Sequence, residues 1–354
     1  MISFIDFNES KRMRNIFYGG DAGVKFAIFH DNDIWMLKMP KSTRDYKKRQ
    51  LSYTTSPLSE YLGSKIYETL GIPVHETLLG QYNGKVVVAC KDFTYKNGQK
   101  IARLFPFNEI KNAYMPSDLA SISGTGSETL LEEVLDTISG QENLQEVGNA
   151  SEWFWDMFIV DAFIGNNDRN NGNWGILIDE STGNQKLAPV YDNGNAFFNK
   201  RGIIQMERRI HDVNLIREDA YHAPVCAFKF LDNRNESHKI NPFEFIKSQV
   251  NSDCNLALLR FAERVNLQKI DDLIDSIPEK YGNLSVMPLE QKEFYKSILH
   301  IRLNEVLYPV AKEIQKNQLD KENILSLENA VKNARTASKQ LSKDAVLNHD
   351  ELER

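Results

Sequence analysis

The sequence predicts an α+β chain in two unequal parts: a small first part built on an antiparallel sheet with one helix, then a larger, mostly helical part. Three observations predict it. The first ninety residues read strand pair, helix, strand pair. Beyond residue 150 apolar residues recur mainly at helical spacing. Between these regimes, residues 164–194 form a loop dense in Asn, Asp and Gly with two short apolar runs inside it. The implied divisions are 1–93, 94–312 and a charged helical tail, 313–354.

Within the first part, YGGDAGVKFAIF (residues 18–29) and DIWMLKMP (33–40) read as strands joined by the turn HDND. Ser56 is positioned to cap the following helix, with Pro57 in its first turn. Leu58, Tyr61, Leu62, Ile66 and Leu70 make the apolar stripe, Glu60 lies in the first turn, and Gly71 and Pro73 stop the helix. VHETLLGQY (74–82) and KVVVACKDF (85–93) follow as a strand pair turning at Asn83-Gly84. The second part opens loosely: SDLASISGTGSE (117–128) reads as a loop and TLLEEVLDTI (129–138) as a helix. Ser151 is expected to cap EWFWDMFIVDAFI (152–164), apolar on nearly every side and so centrally buried. WGILI (174–178) and KLAPV (186–190) read as a strand hairpin. The stretch 195–228 has no clean period and reads as a long substrate-facing segment; helices are expected at 241–249, 254–276 and 289–312. In the tail, Ile324, Leu327, Val331, Ala334 and Leu341 leave a thin seam expected to pack on the body.

Composition narrows the function classes. The 354 residues, 41% apolar and 26% charged, are ordinary for a globular protein. A net charge of -6 argues against dominant nucleic-acid or anionic-membrane binding. No run is apolar enough to span a bilayer and no signal peptide opens the chain. Three scattered cysteines, Cys90, Cys226 and Cys254, read as reduced thiols, which points to the cytoplasm.

The chemistry concentrates in the loop. Asp168, Asn173 and Asp192 offer two acids and an amide, with the hairpin delivering the second acid beside the first. That set suits a divalent metal on phosphate oxygens, with one carboxylate left to take a proton. Asn, Asp and Gly also crowd into any tight turn. A calcium loop over residues 168–179 fails, because Gly172 and Asn173 fall where a ligand and the obligatory glycine belong. Upstream, Gly19, Gly20 and Gly23 could bring backbone amides close to phosphates, with Lys25 just beyond them, and Lys38 sits inside an apolar strand. Glycine turn, strand lysine, helix glutamate, two strands, helix, Asp-x4-Asn, hairpin, Asp is the inventory and order that protein kinases need.

At these residues the sequence resembles the HipA-like serine/threonine kinases, most closely in GNNDRNNGN (165–173) and LAPVYDNG (187–194). GGDAGVKF (19–26), LKMP (37–40) and SEYLGSKIYETLGIPV (59–74) support the match, which is strongest to compact members lacking the extra N-terminal subdomain. The resemblance implies a two-lobed protein-kinase-like fold, ATP and Mg2+ as cofactors, and phosphorylation of protein Ser/Thr. It implies Asp168 as catalytic base, Lys38 as phosphate contact with Glu60 as its partner, and Asn173 and Asp192 as metal ligands. Ala89, Cys90, Lys91 and Asp92 would border the adenine. It further suggests a toxin or secreted effector with an antitoxin partner, and a translation component such as an aminoacyl-tRNA synthetase as substrate. Two departures stand out. The family's D-R-H is Asp168-Arg169-Asn170 here, and residues 15–40 hold no Ser or Thr for self-inhibitory phosphorylation. Any autophosphorylation is expected elsewhere, in 42–59 or 121–127. A nucleotide-holding module without transfer, or a kinase of small molecules or lipids, are the rival readings.

Overall fold

The computed structural model describes residues 2–19, 23–46, 50–114 and 129–321. Gly20, the 117–128 loop with its candidate serines, and the 324–341 seam lie outside the described residues. By proximity in space the chain divides into a body, Met1–Tyr308, and a C-terminal unit, Pro309–Arg354, whose residues 309–321 are helical.

The first lobe is a six-stranded sheet with order β1-β5-β6-β4-β3-β2. Its strands are β1 (Ile5–Asp6), β2 (Lys11–Met13), β3 (Lys25–His30), β4 (Asp33–Lys38), β5 (Thr77–Tyr82) and β6 (Lys85–Lys91). The β3–β4 turn is tight, with Asp31 and Asn32 at φ 46° and 59°, a left-handed pair that matches strand twist. Alternate positions Phe26, Ile28, Trp35, Leu37, Val87 and Ala89 bury one face. The opposite parity carries Lys38, Val88 and Cys90 toward α1 (Ser56–Thr69), which packs on β5 and β6.

Several expectations need correction here. The sheet is not wholly antiparallel, because β1 pairs parallel to β5. The strand expected from residue 18 is β3 and starts at Lys25, so Gly19 and Gly23 precede it instead of lying in it. Ser56 does not cap α1: it lies inside the helix, Thr55 holds the cap position without a side-chain bond, and Glu60 falls past the first turn. The helix then ends where expected, at Gly71 with φ 72°.

The second lobe begins with a small sheet beneath the first. β9 (Ala102–Pro106), which follows the hairpin of β7 (Tyr95–Lys96) and β8 (Gln99–Lys100), pairs with β11 (Gly175–Asp179), and β11 with β12 (Gln185–Leu187). The expected 174–178/186–190 hairpin is therefore present but shorter, and β9 is a partner that the sequence pattern missed. Gly175 is required there, since a Cβ would stand 2.1 Å from the Phe105 carbonyl oxygen.

After α2 (Phe107–Tyr114), β10 (Thr129–Leu130), α3 (Leu131–Gly140) and α4 (Glu142–Val147) comes α5 (Ala150–Ile164), the core of the lobe. Its Phe154, Trp155, Phe158 and Phe163 are fully buried among aromatic neighbours. Asn149, not Ser151, precedes it at the cap position, and Ser151 donates to Asp253.

The 195–228 stretch is not featureless: it folds as α6 (Ile203–Ile210), α7 (Val213–Arg217) and a π-helical turn at Glu218–His222. β13 (Phe228–Leu231), β14 (Ser237–Lys239) and α8 (Pro242–Ser248) follow. The helix expected over 254–276 breaks into α9 (Ser252–Arg264) and α10 (Leu267–Ser276), because Asn266 caps the second by accepting from the Lys269 N–H. Beyond the β15–β16 hairpin (Lys280–Tyr281, Leu284–Ser285), α11 (Leu289–Ile301) runs into a π-helical turn at Arg302–Leu307. Among the described residues no helix is long and apolar enough to cross a membrane.

Candidate active site

Strand β4 ends on Lys38, and α1 presents Glu60 one turn into its length. Lys38 Nζ lies 2.9 Å from Glu60 Oε2 and 3.0 Å from Asp192 Oδ1. A strand, a helix and a distant loop thus meet at one ammonium, which two carboxylates share. Glu60 is 1% exposed. Burial alone would raise its carboxyl, but the Lys38 charge and His75 more than offset this and hold it below the ordinary carboxylate range. Burial likewise works against the Lys38 ammonium, while Asp192 and Glu60 keep its pKa well above normal. Gly194 lets the loop approach: a Cβ there would stand 3.1 Å from Glu60 Oε2.

The sequence pattern gave no role to the histidine in this cluster. His75 Nε2 stands 2.9 Å from Glu60 Oε1 and 3.1 Å from Ser64 Oγ, so it holds the far side of the glutamate. Ser64 in turn accepts from Asn193 Nδ2 at 3.0 Å, which ties α1 to the residue after Asp192. The only hint in the sequence is a histidine at the start of a strand that follows the Glu60 helix.

The Asp168 loop leaves α5 at Gly165, which has φ 72° and bonds back to Ala162. Asp168 Oδ2 accepts from Asn195 Nδ2 at 2.6 Å and Oδ1 from Asn170 Nδ2 at 3.1 Å. Asn170, the departure from the family's histidine, therefore orients the candidate base. Asn173 Nδ2 donates to the Asp168 carbonyl at 2.7 Å, leaving its Oδ1 as a free-facing acceptor. Asp192 takes a left-handed φ of 62°, which aspartate tolerates, and its side chain is about a third exposed.

Beneath the loop lies a buried pair that the spacing of motifs did not reveal. Arg169 Nε and Nη2 reach Asp161 at 2.7 and 3.1 Å, and Nη1 reaches the Asn173 carbonyl at 3.0 Å. Its remaining N–H groups go to the Tyr191 carbonyl and Asn193 Oδ1. All five guanidinium donors are used. Asp161 also accepts from Tyr67 Oη at 2.9 Å and Asn166 Nδ2 at 3.1 Å. One signal could have found it: Asp161 is the lone carboxylate in the apolar stretch 157–164, and buried acids require partners.

The remaining sequence candidates divide. Lys25 stands directly opposite Lys38 across the β3–β4 hairpin, so the two cations share a face. Gly23 has φ 95°, whereas a Cβ on Gly19 would meet open space. Ala89 is buried in the sheet core and Cys90 beneath α1. The N–H groups of Lys91 and Asp92 are taken by the Glu76 and Ile34 carbonyls. Asp92 is held by Tyr18 Oη at 2.8 Å and by Thr94, away from the Lys38 cluster.

Asp192 and Asn173 supply hard oxygen donors beside one ammonium and two carboxylates, a surplus of negative charge that suits a divalent cation such as Mg2+. Opposite them, paired lysines suit a phosphate chain. The arrangement can hold a metal–polyphosphate and present a carboxylate to an attacking hydroxyl.

No protein-family model matches the chain. It is 33% identical over 288 residues to the serine/threonine-protein kinase CtkA of Helicobacter pylori, covering 81% of this chain and 80% of that protein. The crystal structure of the H. pylori proinflammatory kinase CtkA superposes with a TM-score of 0.74 at 28% identity, covering 88% of this chain and 99% of that one. A looser likeness, TM-score 0.45 at 11% identity over 88% and 75% of the chains, is to the Shewanella oneidensis MR-1 toxin–antitoxin complex of HipA, HipB and operator DNA. That level of likeness carries no functional weight. With a two-lobed kinase-like fold, and a third of its residues identical over four-fifths of its length, the chain belongs to the CtkA family of protein kinases.

Proposed function

We propose that this chain transfers the γ-phosphoryl group of ATP, with magnesium, to a serine or threonine hydroxyl of a protein. The observation that carries the reading is the meeting of Glu60 and Asp192 on the Lys38 ammonium, 2.9 and 3.0 Å away. Phosphoryl transfer needs positioning and charge neutralisation more than covalent chemistry. Lys38, with Lys25 beside it, contacts phosphate oxygens, and Glu60 fixes the Lys38 side chain. Asp192 and the Asn173 amide oxygen would hold the metal, which would supply positive charge toward the transferring phosphate. Asp168 orients the acceptor hydroxyl and takes its proton. Gly19 and Gly23 lie along the phosphates, and residues 89–92 border the adenine.

We set the lobe boundary at residue 93 and the start of the tail at 313. The three cysteines are free and buried, consistent with a reducing cytoplasm. A role as toxin or effector, an antitoxin partner and a translation-component substrate have the family resemblance alone as support.

Incubation with labelled ATP, magnesium and a cell lysate tests the reading. Wild type is expected to label protein and Asp168→Ala to leave it unlabelled, with chelation of magnesium abolishing transfer. Equal labelling by both proteins would overturn the assigned base.

A further inference from the structure

A cavity of about 400 Å3 opens beside the loop that carries Asp168, lined by Gly165, Asn166 and Asn167. Asn167 and Asn195 line it, and Asn195 bonds the Asp168 carboxylate at 2.6 Å. A group seated there is therefore one side chain removed from the candidate base. The far wall comes from the 195–228 stretch and from Arg302.

That wall carries more positive than negative charge. Asp219 is approached by Arg201, with Nη2 at 3.1 Å, and by Arg209 Nε at 3.0 Å. Arg302 is 1% exposed and bonds backbone carbonyls only: Ala220 at 2.7 Å, Phe163 at 2.8 Å and Asp219 at 3.5 Å. Those three bonds occupy three of its five N–H donors. Among the described residues no ion pair joins Arg302 to a carboxylate. The other acid on the lining, Asp161, is consumed by Arg169. Lys200, exposed at the wall, adds a further cation.

Carbonyls at the end of α5 offset part of the cost of burying Arg302. On the lining, Lys200, Arg201 and Arg302 face Asp219 as the one acid left to them, which leaves a surplus of positive charge. An unmatched buried cation is expensive, and burial pulls the Arg302 pKa down to about 9 with only Asp219 opposing. Arg169 shows the contrast in the same lobe: buried equally, but with its carboxylate and all five donors satisfied.

We infer that this cavity binds an anionic side chain of the acceptor protein, a carboxylate or a phosphorylated residue close to the hydroxyl being modified. The inference rests on the protein-kinase reading and names the substrate class of that site: acidic peptide segments. Asn167 and Asn195 hold the acceptor backbone near Asp168, while Lys200, Arg201 and Arg302 face the anion.

Serine peptides in a neutral background, with glutamate, phosphoserine, lysine or alanine scanned through the flanking positions, test it in a labelled-ATP assay. Glutamate at one flanking position is expected to lower KM about tenfold relative to alanine, the worth of one charge-assisted contact. Phosphoserine exceeding glutamate at that position identifies a phosphorylated acceptor as the ligand; equality identifies a carboxylate. Lys200→Glu lies on the exposed rim, and it is expected to erase the preference while the melting curve stays unchanged. Arg201→Gln should weaken the preference in parallel. Phosphorylation indifferent to flanking acids, or a preference that survives both substitutions, overturns the inference and leaves the kinase reading standing. Failure to label any acceptor overturns both.

Discussion

Two charge clusters meet on the same loop and are built oppositely. At the rear, Arg169 and Asp161 are matched charge for charge, buried, with every guanidinium donor bonded. At the front, one ammonium serves two carboxylates, and one of these, Asp192, is about a third exposed. A balanced, saturated cluster has nothing to gain from a ligand and works as scaffold. An acid-rich, half-open cluster is stabilised by an arriving cation and can exchange Lys38 contacts for phosphate contacts. Arg169 thus ties both ends of the loop, through the Asn173 and Tyr191 carbonyls and Asn193 Oδ1, while Asp192 between those anchors stays part-exposed beside Lys38.

The largest expected effect lies on the front. Asp168→Ala should lower kcat by about 10²–10⁴-fold, the usual contribution of a positioned acid or base, with nucleotide affinity retained. Asp192→Ala should instead remove productive magnesium binding, read as loss of magnesium-dependent ATP affinity by calorimetry. Equal loss of affinity in both variants would erase the division of roles.

The rear should respond in stability. Asp161→Ala leaves Arg169 buried and unpaired, and should cost about 3–5 kcal/mol in urea unfolding. Lys38→Met should abolish transfer but cost less stability, because Glu60 keeps His75. If Lys38→Met proves the more destabilising of the two, the contrast between working front and structural rear is wrong.

A pH series sharpens the same point. The folded state holds the Glu60 carboxyl below its ordinary 4.5, so the unfolded chain takes up that proton first as pH falls. Its stabilising share is complete above about pH 4.5 and is lost as the medium becomes more acidic. Glu60→Gln should therefore flatten the acid limb of unfolding midpoints measured between about pH 3 and pH 6. The smallest effect is expected at His75. His75→Ala strips Glu60 Oε1 and Ser64 of a buried partner, worth about 1–3 kcal/mol, and His75→Gln should recover part of it. Melting curves of the two variants check this.

Legibility in the sequence followed the range of each interaction. The β3–β4 and β5–β6 hairpins were readable because turn residues and alternation lie within a few positions. The halves of the expected 254–276 helix were not, since Asn266 competes with the continuing helix for the same N–H groups. The 195–228 stretch hid two short helices because it faces a cavity on one side and the lobe core on the other, so no single period dominates its pattern. Lys38, Glu60, Asp168, Asn173 and Asp192 could be singled out from type, order and spacing. His75, Asn195 and Arg302 could not.

The amino-acid order by itself determined which residues carry charge, the two hairpins of the first sheet, and that two acids and an amide occupy one loop. Only the tertiary structure decided that Lys38 meets an acid 154 positions away, and that Arg302 meets a carbonyl 139 positions away. The reason is physical. Local propensity is set by neighbours in the chain, whereas the pairing of a buried charge depends on which surfaces the hydrophobic core brings together.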